Sequence, residues 1–112
     1  MKKRDIVKSS IIFDNIINTG IKTANKYFVI LKKRKEEINN QFGIAVGKKV
    51  GNAVTRNKVK RQMRNIIDNN RKAFSSYHNY IIICKKEILN LSYLEMEKNF
   101  LNLLNKGENN EK

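Results

Sequence analysis

Lys48-Lys49-Val50-Gly51-Asn52-Ala53-Val54-Thr55-Arg56-Asn57-Lys58-Val59-Lys60-Arg61-Gln62-Met63-Arg64 carries seven Lys or Arg residues and no acid. With Ile66 and Ile67, its Val59 and Met63 make one apolar stripe at a helical repeat of about 3.6 residues. Asn57, Lys60, Arg61, Arg64 and Arg71 fall on another side at about 100° per residue. The spacing predicts a helix from about Ala53 to Arg71, with Asn52 as its cap. Such a helix buries one face and presents a cationic rail on another. Uncompensated cations repel one another, so an anion is the natural partner. The bland alternative is a solvated basic face, but such faces usually mix signs.

Upstream, Gln41 to Lys48 reads as a strand, with Phe42, Ile44 and Val46 alternating against Gly43, Ala45 and Gly47. The charged and Asn residues from Arg34 to Asn40 read as a hairpin connection. Before them, about Thr23 to Lys33 reads as one strand with Tyr27, Val29 and Leu31 on one face and Phe28 and Ile30 on the other. A first helix follows Ser10 as N-cap, carries Ile12, Phe13, Ile16 and Ile17, and ends at Thr19-Gly20. On the other side of the basic helix, Lys72 to Asn79 reads as a loop with a frayed helix end. Tyr80 to Lys85 is a strand whose continuous Ile run predicts burial on both faces. Ser92-Tyr93-Leu94-Glu95 has the form of a capping box and starts a last helix with Tyr93, Met96, Phe100, Leu103 and Leu104 inside. From about Gly107 a polar, mobile tail is expected. The order α-β-β-α-β-α predicts an α/β (α+β) two-layer sandwich, a small sheet with helices, in a single domain over residues 1–112.

The chain has 24 basic and 10 acidic residues and a net charge of +14, which points to nucleic acid or an anionic membrane surface. No apolar run approaches the roughly 20 residues that span a bilayer, so no membrane partner is expected. A single cysteine forms no internal disulfide, and a cytoplasmic location is expected.

Arginine makes planar bidentate contacts to phosphate, whereas lysine supplies a flexible point charge. Arg56, Arg61 and Arg64 are therefore the candidates for defined geometry, and Asn57 can reach a base edge or a 2′-hydroxyl. Phe13 and Tyr27 can line a groove and stack on unpaired bases; ordinary core packing is the alternative. Gly43 to Lys49 lacks the glycine spacing and the hydroxyl residue of a P-loop. His78 and Cys84 are solitary and read as structural. The acids are few and scattered, with no carboxylate pair beside a plausible base, so no catalytic and no metal-binding residue is assigned. By its side chains the chain is an RNA-binding module without hydrolytic chemistry of its own. A ribosomal or other structural RNA-binding protein, a self-sufficient nuclease and a DNA-binding module are the alternatives.

The stretch from Lys48 to Arg61, followed by Arg64, closely resembles the protein subunit of bacterial ribonuclease P, whose central pattern is Lys-Lys-x-Gly-x-Ala-Val-x-Arg-Asn-Arg-x-x-Lys-Arg-like. Phe13, the Ala24-Asn25-Lys26-Tyr27-Phe28-Val29 stretch, Tyr80-Ile81-Ile82-Ile83 and Leu91-Ser92-Tyr93-x-x-Met96-Glu97 follow in family order. The resemblance implies a sandwich with a left-handed βαβ crossover, where most parallel crossovers are right-handed. It implies partnership with ribonuclease P RNA, which performs the hydrolysis, and with precursor tRNA, whose 5′ leader is removed. It also implies Mg²⁺ held mainly by RNA and no protein-held cofactor. The expected RNA-binding residues are Lys48, Lys49, Asn52, Arg56, Asn57, Lys58, Lys60, Arg61 and Arg64, of which the resemblance implies Arg56, Asn57, Lys58, Lys60, Arg61 and Arg64. The leader cleft, between the first helix and the sheet, falls on Phe13, Ile17 and Leu31. The family usually has aromatics at the last two, so stacking here rests on Phe13, with Tyr27 as a substitute on the strand face of Leu31. Lys58 stands where arginine is usual, and Asn65 where glutamate is common.

Overall fold

The computed structural model describes residues 1–109, with side chains through Gly107. In chain order the elements are α1 (Ser10–Thr19), β1 (Ile21–Ala24), β2 (Phe28–Arg34), β3 (Phe42–Val46), α2 (Ala53–Asn69), β4 (His78–Cys84) and α3 (Tyr93–Asn109), joined by short 3-10 turns. The class is the expected α/β sandwich. α3 continues past Gly107, where a tail was expected to begin; the rest of that expected tail, residues 110–112, lies outside the described residues.

The sheet order is β1-β2-β4-β3, with β1 antiparallel to β2, β2 antiparallel to β4, and β3 parallel to β4. Two sequence expectations change here. The single strand expected from Thr23 to Lys33 is a hairpin. Asn25 Oδ1 accepts from the Tyr27 and Phe28 amides at 2.9 and 2.8 Å, an Asx turn that reverses the chain before β2. The Arg34–Asn40 segment, in turn, is not a hairpin connection. It carries the chain past the place of β4 to the far edge of the sheet. Strand β4, apolar on both faces, takes the interior position, and glycine-containing β3 takes the edge. The parallel strands β3 and β4, joined through α2, form a βαβ crossover.

Alternation across the sheet feeds two cores. On one face Phe28, Ile30, Phe42, Tyr80, Ile82 and Cys84 pack against Val59, Met63, Ile66 and Ile67 of α2 and Met96, Phe100, Leu103 and Leu104 of α3. Phe28 meets Phe100 edge-on with ring centroids 5.5 Å apart. On the other face Leu31 and Ile81 pack under Val7 and Ile16, with Phe13, Val29 and Ile83 around them. Helix α1 therefore covers the second face of the sheet.

The helix ends obey local chemistry. The Ser9 hydroxyl, rather than that of Ser10, accepts from the Ile12 amide and caps α1. Helix α1 closes at Gly20, which is extended rather than left-handed. Ser92 and Glu95 form the expected capping box, with the Ser92 amide donating to Glu95 and the Glu95 amide to the Ser92 hydroxyl at 2.9 and 3.2 Å.

Arg71, expected on the basic side of the long helix, lies just beyond α2 and is spent inside the fold. Its guanidinium donates to Asp5 at 3.1 Å and to Asp68 at 2.9 Å, and the terminal amine of Met1 also donates to Asp68. Burial raises both carboxyls, but the Lys2 amide and Arg71 at Asp5, and Met1 and Arg71 at Asp68, outweigh it and leave both below their ordinary values. A carboxylate whose folded pKa is depressed stabilises the fold above its unfolded pKa, and that contribution disappears as pH falls through the folded value. Urea midpoints are therefore expected to fall on acidification below about pH 4. Asp68→Asn should flatten that fall and lower the midpoint at pH 7; an unchanged acid limb would refute the assignment.

Candidate nucleic-acid interface

The cationic rail begins at a glycine. Gly51 has φ 156° and ψ −167°, a conformation essentially reserved for glycine, and a Cβ there would meet the Thr55 side chain at 3.0 Å. This turn reverses the chain from β3 into α2. The Asn52 side chain then accepts from the Thr55 amide at 3.0 Å and caps α2. With Val59, Met63, Ile66 and Ile67 buried, the rotation of α2 is set. Lys48, Lys49, Asn52, Asn57, Lys58, Arg61 and Arg64 are exposed, and Arg56 and Lys60 are half-buried. The Arg56 Nε is buried without a hydrogen-bond partner among the described residues. Asn57, Lys60, Arg61 and Arg64 thus share the expected side of α2, with Lys48 and Lys49 on its approach, while Arg56 and Lys58, two residues apart, flank that side.

Lys60 and Arg64, one turn apart, overhang a cleft of about 130 Å³ along the outer edge of β3. Phe13 of α1 lies opposite, with Phe42, Gly43 and Ile44 as floor. Gly43 is what admits the ring: a Cβ there would lie 2.9 Å from Phe13 Cε2 and 2.6 Å from Ile81 Cδ1. An aromatic face and two cations therefore share one concave surface, a combination suited to an unpaired base with its phosphates.

The other cleft residues separate. Ile17 is 38% exposed on α1, four residues from Phe13 and on the same side of the helix. Leu31 is only 4% exposed and buried beneath α1, so it supports the cleft without facing a ligand. Tyr27 is a correction. It sits in the β1–β2 turn and packs against the opposite core, with Phe28 rather than with Leu31. The alternation that placed it beside Leu31 assumed an unbroken strand, and the Asn25 turn breaks it. It cannot replace a missing cleft aromatic.

Sequence reasoning missed the N-terminal wall of the cleft. Ile6 bridges in parallel to Phe42, and the Val7 amide donates to the Phe42 carbonyl at 3.0 Å, bringing Met1, Ile6 and Val7 to the site. No periodicity over so few residues signals this. Lys85 and Lys86, which follow β4, were also missed; they come beside Lys48 and Lys49 because β3 and β4 are parallel neighbours. The solitary groups are structural. His78 Nδ1 lies 2.8 Å from the Ser75 hydroxyl, and burial pushes the Cys84 thiol up to about 12. Among the described residues, no three His, Cys, Asp or Glu side chains form a group that could hold a metal ion. No helix among them is long and apolar enough to cross a membrane.

The model of the family described as Ribonuclease P matches residues 1–108. The chain belongs to the ribonuclease P protein family. The ribonuclease P protein component of Streptococcus pneumoniae strain Hungary19A-6 is 38% identical over 104 residues, covering 93% of this chain and 85% of that protein. The ribonuclease P protein from Thermotoga maritima superposes with a TM-score of 0.83 at 28% identity, covering 92% of this chain and 97% of that one. A Staphylococcus aureus ribonuclease P protein, a mutant with defective mRNA degradation activity, superposes with a TM-score of 0.88 at 26% identity, covering 95% and 90%. This chain is accordingly a protein subunit of the ribonuclease P ribonucleoprotein, part of a holoenzyme that cleaves tRNA precursors.

Proposed function

We propose that the α2 rail and its approach, from Lys48 to Arg64, grip ribonuclease P RNA, and that the cleft between Phe13 and Lys60–Arg64 holds the 5′ leader of precursor tRNA. The observation that carries this reading is the meeting of Phe13 with Lys60 and Arg64 around one groove. Rail cations neutralise phosphates regardless of sequence, and the aromatic face adds stacking for an unpaired strand. Mg²⁺ belongs mainly to the RNA, and the protein holds no cofactor of its own. The complex works in the cytoplasm. In this division of labour the protein positions substrate, and the RNA cuts.

The test is reconstitution. Pure protein should bind RNA without cleaving precursor tRNA, and ribonuclease P RNA with Mg²⁺ should restore cleavage. The protein's contribution to substrate affinity should shrink as the leader is shortened past the cleft. Robust cleavage of precursor tRNA by protein freed of RNA, or affinity indifferent to leader length, would overturn the reading. A second reading, that the protein degrades mRNA, rests on the Staphylococcus aureus neighbour, a mutant with defective mRNA degradation activity. Incubating the pure protein with an mRNA fragment separates the two, because only the second reading predicts shortened products.

A further inference from the structure

Beyond the carboxyl ends of the parallel strands β3 and β4, where Val46 and Cys84 are register partners, lies a groove of about 540 Å³. The crevice past the carboxyl ends of parallel strands is where open α/β sheets commonly take ligands. Val50 and Cys84, both buried, and half-buried Ile83 give it an apolar floor. Lys48, Lys49 and Lys86 stand exposed around it. Lys85 is tethered, its Nζ donating to the Asn25 carbonyl at 2.7 Å. In the same wall sits the one acid of the groove, Glu87, whose Oε2 is buried and has no hydrogen-bond partner among the described residues. A buried carboxylate oxygen without a donor is costly, so turning the half-buried Glu87 side chain into the groove to meet a ligand's N–H groups relieves that cost.

The volume suits a nucleotide, the rim suits phosphate, and the floor suits a base. The carboxylate then selects among bases. Guanine presents two adjacent donors, N1–H and the N2 amine, which match a carboxylate. Adenine and cytosine present an amine beside a ring-nitrogen acceptor. Uracil presents one donor between two acceptors, which repel it. We propose that this groove receives a single-stranded guanine, its N1–H and N2 amine donating to Glu87 while Lys48, Lys49 and Lys86 hold the flanking phosphates. The proposal rests on the reading of this chain as an RNA-binding subunit and adds a second, base-selective site that shares no lining residue with the leader cleft.

Fluorescence anisotropy with labelled hexanucleotides tests it: all-uridine, uridine with one central guanosine, and the same with inosine, which lacks the N2 amine. Wild type should bind the guanosine strand at least about tenfold more tightly than all-uridine, and inosine should lose most of that gain. Glu87→Gln, nearly isosteric, should abolish the preference without weakening all-uridine binding. Equal affinity for guanosine and uridine strands, a preference that survives Glu87→Gln, or a general loss of binding in that variant would overturn the proposal. If ribonuclease P RNA still binds while the preference is absent, only the guanine site fails. If wild type binds neither that RNA nor any hexanucleotide, the RNA-binding reading fails with it.

Discussion

Replacing Arg61 and Arg64 together by alanine is expected to weaken binding to ribonuclease P RNA by at least about 100-fold at physiological salt. Each charge-assisted contact to phosphate is worth roughly 1.5–3 kcal/mol, and about 1.4 kcal/mol is a factor of ten. The loss should have an electrostatic signature. Two fewer neutralised phosphates lower the log–log salt slope by roughly 0.7 to 0.9 per contact. It should also have no folding signature, because both side chains are exposed on α2 while Val59, Met63, Ile66 and Ile67 hold the helix down. A filter-binding titration at two salt concentrations, beside a thermal melt, reads both. Unchanged affinity with an unchanged salt slope would remove the rail from the interface. Arg64→Lys is the informative companion: it keeps the charge and loses the planar fork, so partial recovery measures how much of the contact is geometry.

Phe28→Ala should do the reverse. Phe28 is fully buried, faces Phe100 edge-on and lies opposite Cys84 in the β2–β4 ladder. Truncating a buried phenylalanine costs about 3–5 kcal/mol through lost transfer energy and the cavity left behind. For a domain of this size that corresponds to a melting temperature lower by about 12–20 °C. A small domain holds about 5–15 kcal/mol in total, so the variant loses a large share of its stability. At temperatures where it remains folded, its RNA affinity should match wild type, since no part of Phe28 reaches the surface. A drop smaller than about 5 °C would mean that the core closes around the gap far better than such sites usually do.

The contrast between these two variants traces which features were legible in the chain. The α2 rail was readable because one helix carries both of its signals: the apolar stripe that sets rotation and the cations that rotation exposes. The same holds for the capping box at Ser92 and Glu95 and for the doubly buried β4. Each is a local pattern whose outcome depends on neighbours within a few residues. Tyr27 shows where this stops working. Its expected face followed from strand alternation, yet a single side-chain acceptor, Asn25, reverses the chain and moves the tyrosine to the opposite core. Leu31 shows a second limit. Its face was read correctly, but burial beneath α1 depends on how the helix docks, which alternation does not encode.

Charge, the amphipathic rail, the caps and the resemblance carried by the Lys48–Arg64 motif were all present in the order of residues, because each arises from interactions of short range along the chain. The sheet order β1-β2-β4-β3, the union of Phe13 with Lys60 and Arg64, and the placing of Lys85, Lys86 and Glu87 beside Lys48 and Lys49 belong to the folded molecule alone. These depend on which strand wins the centre of the sheet. That contest is settled by burial summed over both faces and over segments far apart in the chain, and no local window contains it.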